Sequence, residues 1–580
     1  MLTTMLCMGV TAQAATVTVN DPTDGSVSSA CTLRDAVAAV NTATAVNSCA
    51  AGDGNNDTIT FDAAVFSAAT TIMVSPQIVI SKELTINGAL DGSGDPLITL
   101  DGNSANTIFY AYSGTPLTVS GLIFRNGGNA TSIGGAIISN SILGVSNSAF
   151  INCQSSAYGG AIYARVTANI SNSVFDGNHT NTFGTNGGAI YASTANISDS
   201  EFINNWSVNS GGAISASNAD ISNSVFIDNE ARGSIVGGAA VHVSYTVNIS
   251  DSTFIRNKVP EGNSGTGGAI SGITANVSNS AFDSNRATSG GAIHASTANV
   301  SNSTFTDNQA SSAGYGGAIY GGTANVSNSA FAGNRAGYYG GAIYVNVASI
   351  GNSTFIGNQA ISGGGGAIGF GVTLEASHLT LLDNNAAGAA TYGAAIFAVG
   401  DGSIHNSLIL SSVDSVNAAT LCATYGAGSL GGSYNIEWVD SVDTTTCGGV
   451  NNVSGGSGTI GAIVATALAD NGGPTPTLAL PAGSPAIGAA DSSGATSQML
   501  DIDFAPTPVT ATWIDATLDQ RGVARAVTSA ERSIGAFEKA PSPPPPVNAA
   551  PIPVLPAPLA LLLALGVAGI GFRKLKVAKR

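Results

Sequence analysis

At 580 residues the chain carries 9% charged residues, 74 glycines and a formal charge of −17. That acidity argues against nucleic acid and other phosphate partners, and so little charge argues against an ordinary cytosolic globule. Five of the 18 Lys and Arg (Arg573, Lys574, Lys576, Lys579 and Arg580) fall in the last eight residues, so the body is more acidic still.

Residues 1–14 hold a weak apolar run ending in Ala12-Gln13-Ala14, which fits a signal-peptidase site before Ala15. No Lys or Arg precedes Arg34, so a basic leader and a start codon are expected upstream. Cysteine usage agrees with export. Cys31 and Cys49 flank one short loop and Cys422 and Cys447 another, which predicts two disulfides. Cys153 is left over; it takes the Asn position of its own repeat and reads as a structural filler.

Residues 15–110 form the front of the fold. Cys31-Thr32-Leu33-Arg34-Asp35-Ala36-Val37 followed by Asn56-Asp57-Thr58-Ile59-Thr60-Phe61 resembles the CSLREA domain of secreted β-helix proteins, with Thr32, Asp35 and Val37 departing conservatively. Leu33, Val37 and Val40 share one helical face, which suits a short helix capping the first coil. Arg34 reads as structural rather than catalytic.

Residues 111–400 are a repeat array. Gly-Gly-Ala-Ile starts at Gly134, Gly159, Gly187, Gly211, Gly267, Gly290, Gly316, Gly340 and Gly365, with degenerate copies at Gly237 and Gly393, a period of 23 to 30 residues. Phe-x-x-Asn alternates with it, at Phe175, Phe202, Phe226, Phe254, Phe282, Phe305, Phe331 and Phe355, with Leu381 as a late substitute. The first Gly precedes its Phe by 15 to 17 residues, whereas the next Gly-Gly follows that Phe by a variable 8 to 13. One part of each repeat is therefore rigid and one loop is free.

Small and β-branched residues without a 3.6-residue stripe exclude helical repeats. Ile170 and Phe175 have opposite parity, so both point inward only if the chain turns between them. The intervening slot is always Asn or Asp (Asn172, Asp199, Asn223, Asp251, Asn279, Asn302, Asn328, Asn352), residues that tolerate left-handed backbone. The Gly pair and the Asn closing Phe-x-x-Asn read as two further corners. Three short strands per repeat give an all-β fold, a right-handed parallel β-helix of about 26 residues per coil. This pairing of GGAI with FxxN resembles the repeat of the polymorphic outer-membrane proteins, and the resemblance implies a surface-exposed, β-helical adhesin over about Phe124 to Phe397.

Residues 401–540 comprise the last coils and a region in which Asn471-Gly472-Gly473-Pro474-Thr475-Pro476-Thr477-Leu478, Gly483-Ser484-Pro485-Ala486-Ile487, Asp519-Gln520-Arg521-Gly522 and Ile534-Gly535-Ala536-Phe537-Glu538 resemble the choice-of-anchor Q domain of surface proteins. A Pro-rich linker, 541–558, leads to an apolar helix and basic end, 559–580. That order is similar to PEP-CTERM sorting signals, with Ile552-Pro553-Val554-Leu555-Pro556 in place of Pro-Glu-Pro, and it implies a membrane-held C-terminal anchor helix and a sorting transpeptidase as partner. Nothing after Gly400 supplies the repeated alternating strands of a membrane barrel, which argues against a classical autotransporter.

Parallel β-helices also host polysaccharide lyases and hydrolases, which need paired carboxylates or a Ca2+ site with a nearby base. The repeat carboxylates are scattered (Asp176 and Asp283 directly after their Phe, Asp228 and Asp307 one later), and Asp501 and Asp503 read as a solvated loop. Four of the few repeat cations, Arg232, Lys258, Arg286 and Arg335, fall in the variable loop. His179, His242, His294, His378 and His405 lack metal-ligand spacing, so no catalytic residue, metal or cofactor is expected.

The slot after each Gly-Gly-Ala-Ile holds Tyr163, Tyr191, Ser215, Ser271, His294, Tyr320, Tyr344, Gly369 and Phe397. If Ile faces in, this slot faces out, and Tyr163/Tyr191 and Tyr320/Tyr344 become stacked pairs. Two readings stand: an aromatic ladder that stabilises the sheet, or a face that binds an extracellular glycan or a host or neighbour-cell surface protein. The expected protein is an exported, non-enzymatic bacterial surface, outer-membrane or matrix β-helix. A polysaccharide-active enzyme is the alternative.

Overall fold

The computed structural model describes residues 14–128, 133–233, 237–387, 393–411 and 421–439, with shorter stretches beyond, chiefly 460–487 and 518–525. Residues 1–13 of the expected signal peptide, and the segments expected as Pro-rich linker and anchor tail, lie outside the described residues. The chain is an all-β parallel solenoid of about 14 turns, and it divides between Asn205 and Trp206 into two compact units.

Most repeats make three strands of unequal length; in the coils of Ile137 and Val241 the long strand is split in two. The Gly-Gly-Ala-Ile and Ala-Asn-Ile/Val-Ser segments merge into one long strand, such as Ile190–Ser198 or Ile293–Ser301. A three-residue strand follows on the Phe (Val174–Asp176, Thr304–Thr306) and a two-residue strand after the Asn (His179–Thr180, Gln309–Ala310). Like residues pair in parallel register from coil to coil, as in Ile293↔Ile319 and Asn299↔Asn325.

The first unit opens with Thr16–Val19, paired in parallel with Asp57–Phe61 and onward to Leu84–Asn87 and Leu117–Ser120. The helix Leu33–Thr42 packs on these first coils. Thr32 caps it, its hydroxyl accepting from the Asp35 N–H at 3.2 Å, and left-handed Ala43 ends it. Leu33, Val37 and Val40 are buried, and the Cys31–Cys49 disulfide closes the surrounding loop. Arg34 is held by Asp24 at 2.7 Å. Asp57 is fully buried and accepts backbone N–H bonds from Ala15, Asp53 and Gly54. Burial pushes its pKa up, but those donors outweigh it and hold the carboxyl below the usual range.

The turn between Ile170 and Phe175 is made by Asn172 at φ 45°, and every Asn or Asp of that slot is left-handed. At the next corner the left-handed residue is not the Asn of Phe-x-x-Asn but the one before it: Gly177, Asn204, Asp228, Arg256, Ser284 or Asp307. The Asn itself points inward and is fully buried, as at Asn178, Asn229 and Asn308. Asn308 shows why it is needed. Its amide N–H2 donates to the Phe282 carbonyl at 2.9 Å and to Asn334 Oδ1 at 3.0 Å, and its own Oδ1 accepts from the backbone and side chain of Asn285. Every polar atom of the buried amide is thereby satisfied. Cys153 takes the ladder position ahead of Asn178, its thiol donating to the Phe124 carbonyl.

Both glycines of the pair are dictated by space. At Gly187, φ is +71° and a Cβ would lie 2.2 Å from the Ile190 carbonyl; at Gly291 it would lie 2.1 Å from the Gly317 carbonyl of the next coil. The copy assigned to Gly237 is displaced by one: Gly238 holds the left-handed position and Val241 pairs with Ile214 and Ile270. Inside, the phenylalanines stack at 4.7 Å from Phe124 through Phe150 and Phe175 to Phe202 in the first unit. In the second they run from Phe226 to Phe355, with Phe305 and Phe331 4.7 Å apart and nearly parallel.

In the second unit the chain after Ile436 returns over its own coils. The outward position following the Phe is Asp283, Thr306 and Ala332 early on, then Ile356, Leu382 and Leu410. Those last residues pack with Ile463, Val464, Leu478 and Leu480. Gln520 accepts from Thr354 and donates to Thr475, at 2.8 and 2.7 Å. Buried Arg525 donates to Asn352 Oδ1 and to the Gly535 carbonyl. Cys422 is bonded to Cys447. Asp501 ends a strand, Met499–Asp501, paired with Thr512–Ile514, rather than lying in a loop, and Asp503 is outside the described residues.

Candidate functional site

Strand alternation puts Ile162 and Ile190 in the core and Tyr163 and Tyr191 on the outside, in register. Their rings stack at 5.7 Å, 1° from parallel. In the second unit Tyr320 and Tyr344 are likewise in register, 6.3 Å apart, with His294 5.3 Å behind Tyr320. The four tyrosines legible in the sequence thus form two pairs, one in each unit. None of their phenol oxygens has a hydrogen-bond partner among the described residues.

The variable loop adds what the repeat does not predict. Tyr158, Tyr315 and Tyr339 each stand directly before the Gly pair and lean toward the next coil. Tyr158 packs on Tyr191 at 4.7 Å and Tyr315 on Tyr344 at 5.1 Å, both inclined by 37°. For Tyr339 the slot ahead is Gly369, where a Cβ would lie 2.8 Å from the Tyr344 ring. Tyr339 stacks at 4.7 Å on Phe397, one coil further along the slot, which is buried. Tyr338 completes this second-unit cluster, 5.7 Å from Tyr315.

Stacking of this kind covers ring faces and leaves edges and hydroxyls toward solvent. Burial, and then the neighbouring phenols, push the pKa of Tyr191 and Tyr344 up, so the hydroxyls stay protonated and both donate and accept. The slot is not outward-exposed throughout. Ser215, Ser271 and Phe397 are buried, Ser271 against Gly237 of the preceding loop.

The remaining polar groups are mostly committed to one another. Arg256 clamps Asp228 through two bonds of 2.9 and 2.7 Å, and Arg232 lies 4.0 Å over the Trp206 ring while bonding Glu230. Burial raises the carboxyls of both Asp283 and Asp307; at Asp283 a Ser284 hydrogen bond opposes the rise, the Asp307 charge adds to it and Arg256 again opposes it. Sequence spacing hid that pair because the two residues occupy different slots. His294 meets Thr266 at 3.0 Å, and burial lowers the pKa of His294 and His242. Among the described residues no three His, Cys, Asp or Glu converge as a metal site.

The model of the Chlamydia polymorphic membrane protein repeat matches residues 172–193, 199–217 and 302–322. No curated protein matches the chain. Each matched stretch includes a left-handed Asn or Asp corner, the Phe strand or the Gly pair described above. Over these stretches the chain is similar to the polymorphic membrane protein repeat, a bacterial surface family, and the repeats lie on a parallel β-solenoid that fits it.

Proposed function

We propose that this is an exported adhesive or matrix protein that holds an extracellular glycan or a host or neighbour-cell surface protein without turning it over. The carrying observation is the outward tyrosine slot. It repeats amphipathic side chains at coil spacing with hydroxyls that no other described residue uses, the chemistry that favours tyrosine at binding surfaces. Because ring faces are stacked on one another, a partner meets a row of phenol edges and hydroxyls, which suits a hydroxylated or amide-rich surface. In this reading residues 559–580 hold the protein at the membrane for a sorting transpeptidase.

The test is attachment to glycan and host-protein arrays. Changing Tyr163, Tyr191, Tyr320 and Tyr344 to Ser leaves the inward Ile and Phe ladders in place, so circular dichroism stays unchanged while attachment weakens at least about tenfold, on the order of 1.4 kcal/mol. Unchanged attachment would return the tyrosines to a purely structural role. The alternative, a polysaccharide-active enzyme, has one feature in its favour, the raised carboxyls of Asp283 and Asp307. Turnover of pectin, alginate or glycosaminoglycan at about 1 per second or more, lost in Asp283→Asn, would establish it instead.

A further inference from the structure

We propose that the loop-to-slot pairs Tyr158 with Tyr191 and Tyr315 with Tyr344 are sites of oxidative phenol coupling, at which a dityrosine bond staples one coil to the next. The same contact occurs independently in both units: a loop tyrosine directly before the Gly pair, set against the slot tyrosine one coil on, at 4.7 and 5.1 Å and the same 37° tilt. At that separation the ring edges are in van der Waals contact. One partner of each pair rides on a loop of variable length, so the rings can adjust to bond. Tyr163/Tyr191 and Tyr320/Tyr344 are instead fixed in adjacent strands, with centroids 5.7 and 6.3 Å apart. All four coupling partners are at least partly exposed, so an electron can leave each phenol at the surface.

The third loop tyrosine is placed differently. Tyr339 finds Gly369 in the slot of the next coil and stacks on Phe397, so its nearest phenol neighbours are Tyr338 beside it, edge-on at 4.3 Å, and Tyr344 of its own coil at 5.8 Å, not a slot tyrosine one coil on. The chemistry also answers a need of the repeat region. Among the described residues the disulfides join Cys31 to Cys49 and Cys422 to Cys447, and the coils between carry no covalent tie. The one free thiol there, Cys153, is fully buried and pushed up to about 12 by that burial, so it does not compete as a thiolate.

The oxidant is hydrogen peroxide acting through a haem peroxidase. Each phenol gives up one electron and its hydroxyl proton. The two phenoxyl radicals join through the carbons ortho to oxygen, forming one C–C bond. Each ortho C–H proton then moves to its ring oxygen, restoring both phenols. The pair has lost two electrons and two protons in all, and these convert one hydrogen peroxide to two waters. The proposal is independent of any ligand at the slot.

The full chain, dilute, is treated with hydrogen peroxide and a haem peroxidase, then digested and mapped by mass spectrometry alongside dityrosine fluorescence. Expected are cross-linked peptides joining Tyr158 to Tyr191 and Tyr315 to Tyr344, each two hydrogens lighter than its parts, in a yield independent of protein concentration. Tyr245 and Tyr425 are 59% and 64% exposed and have no ring neighbour among the described residues, so they should couple at least about tenfold less. The double variant Tyr158→Phe, Tyr315→Phe keeps the rings and should leave Tyr191 and Tyr344 at least about tenfold less coupled in the peptide map, with unchanged circular dichroism. Coupling that rises with protein concentration, follows exposure rather than ring contact, or persists in the double variant overturns the proposal.

Discussion

Replacing Asn308 by Ala tests whether the inward asparagines hold the coils together. The substitution deletes the acceptor of the Asn285 backbone N–H and of one Asn285 side-chain N–H, each at 3.0 Å, and removes a donor from the Phe282 carbonyl. Asn308 and Asn285 are fully buried, so water does not replace these bonds. A buried group left unpaired costs about 1–3 kcal/mol, so two orphaned donors cost about 2–6 kcal/mol, a large share of a domain's stability. The matched control is Asn248→Ala on the outward ladder, where Asn248 donates to Asp220 at 2.7 Å and accepts from Asn276. Asp220 is exposed and Asn276 half-buried, so both rebond to water and the loss should be about 1 kcal/mol or less. Urea unfolding of the two variants, followed by circular dichroism and by tryptophan fluorescence to check for a single transition, gives the comparison. Equal losses would refute the claim that burial, rather than the ladder itself, makes the inner asparagines indispensable.

Three further outcomes follow. Asp57 has a carboxyl held below its unfolded pKa, so its stabilisation is present above the ordinary carboxylate range and fades as pH falls through the lowered folded value; Asp57→Asn should flatten the acid limb of the first unit's stability curve. Arg525→Met leaves Asn352 Oδ1 and the Gly535 carbonyl without their buried donor, so hydrogen exchange should quicken in 518–525 while the Phe-ladder strands stay protected. Reducing the Cys31–Cys49 bond, which encloses a sequence separation of 18, should lower the stability of the capping region by about 3 kcal/mol in the chain-entropy account, read as a lower thermal midpoint.

The repeat made most of the fold legible because it constrains parity and spacing together. Inward Ile170 and Phe175 required a turn, and Asn172 supplies it. The same logic placed a corner after the Phe but put its left-handed residue one position late. An Asn that ends a motif looks like a turn residue until its amide is seen to be buried and paired above and below. The shift from Gly237 to Gly238 escaped for a related reason: a Gly-Gly string marks the motif, whereas the backbone requires only a left-handed glycine three residues before the inward Val241. At the site, Tyr163, Tyr191, Tyr320 and Tyr344 were readable because they keep a fixed phase with Ile. Tyr158, Tyr315 and Tyr339 lie in loops whose length varies, and no periodicity states where a loop side chain leans. Their shared position before Gly-Gly was the available signal.

That division has a physical origin. In most coils the inward Phe, the buried Asn and the outward Asn of the long strand are matched by their own kind in the next coil, and their bonding capacity is spent there. A change at one such position leaves a neighbour unpaired or a void in a stack, so these positions repeat. The slot after Ile and the loop before the Gly pair carry no such obligation, and one slot accommodates Tyr344, Gly369 and Phe397 in successive coils of one sheet. Variation accumulates where the ladders do not forbid it. The large side chains that fill these free positions, tyrosines in both units, are therefore the part of the surface that binding or covalent chemistry can shape without disturbing the coils beneath.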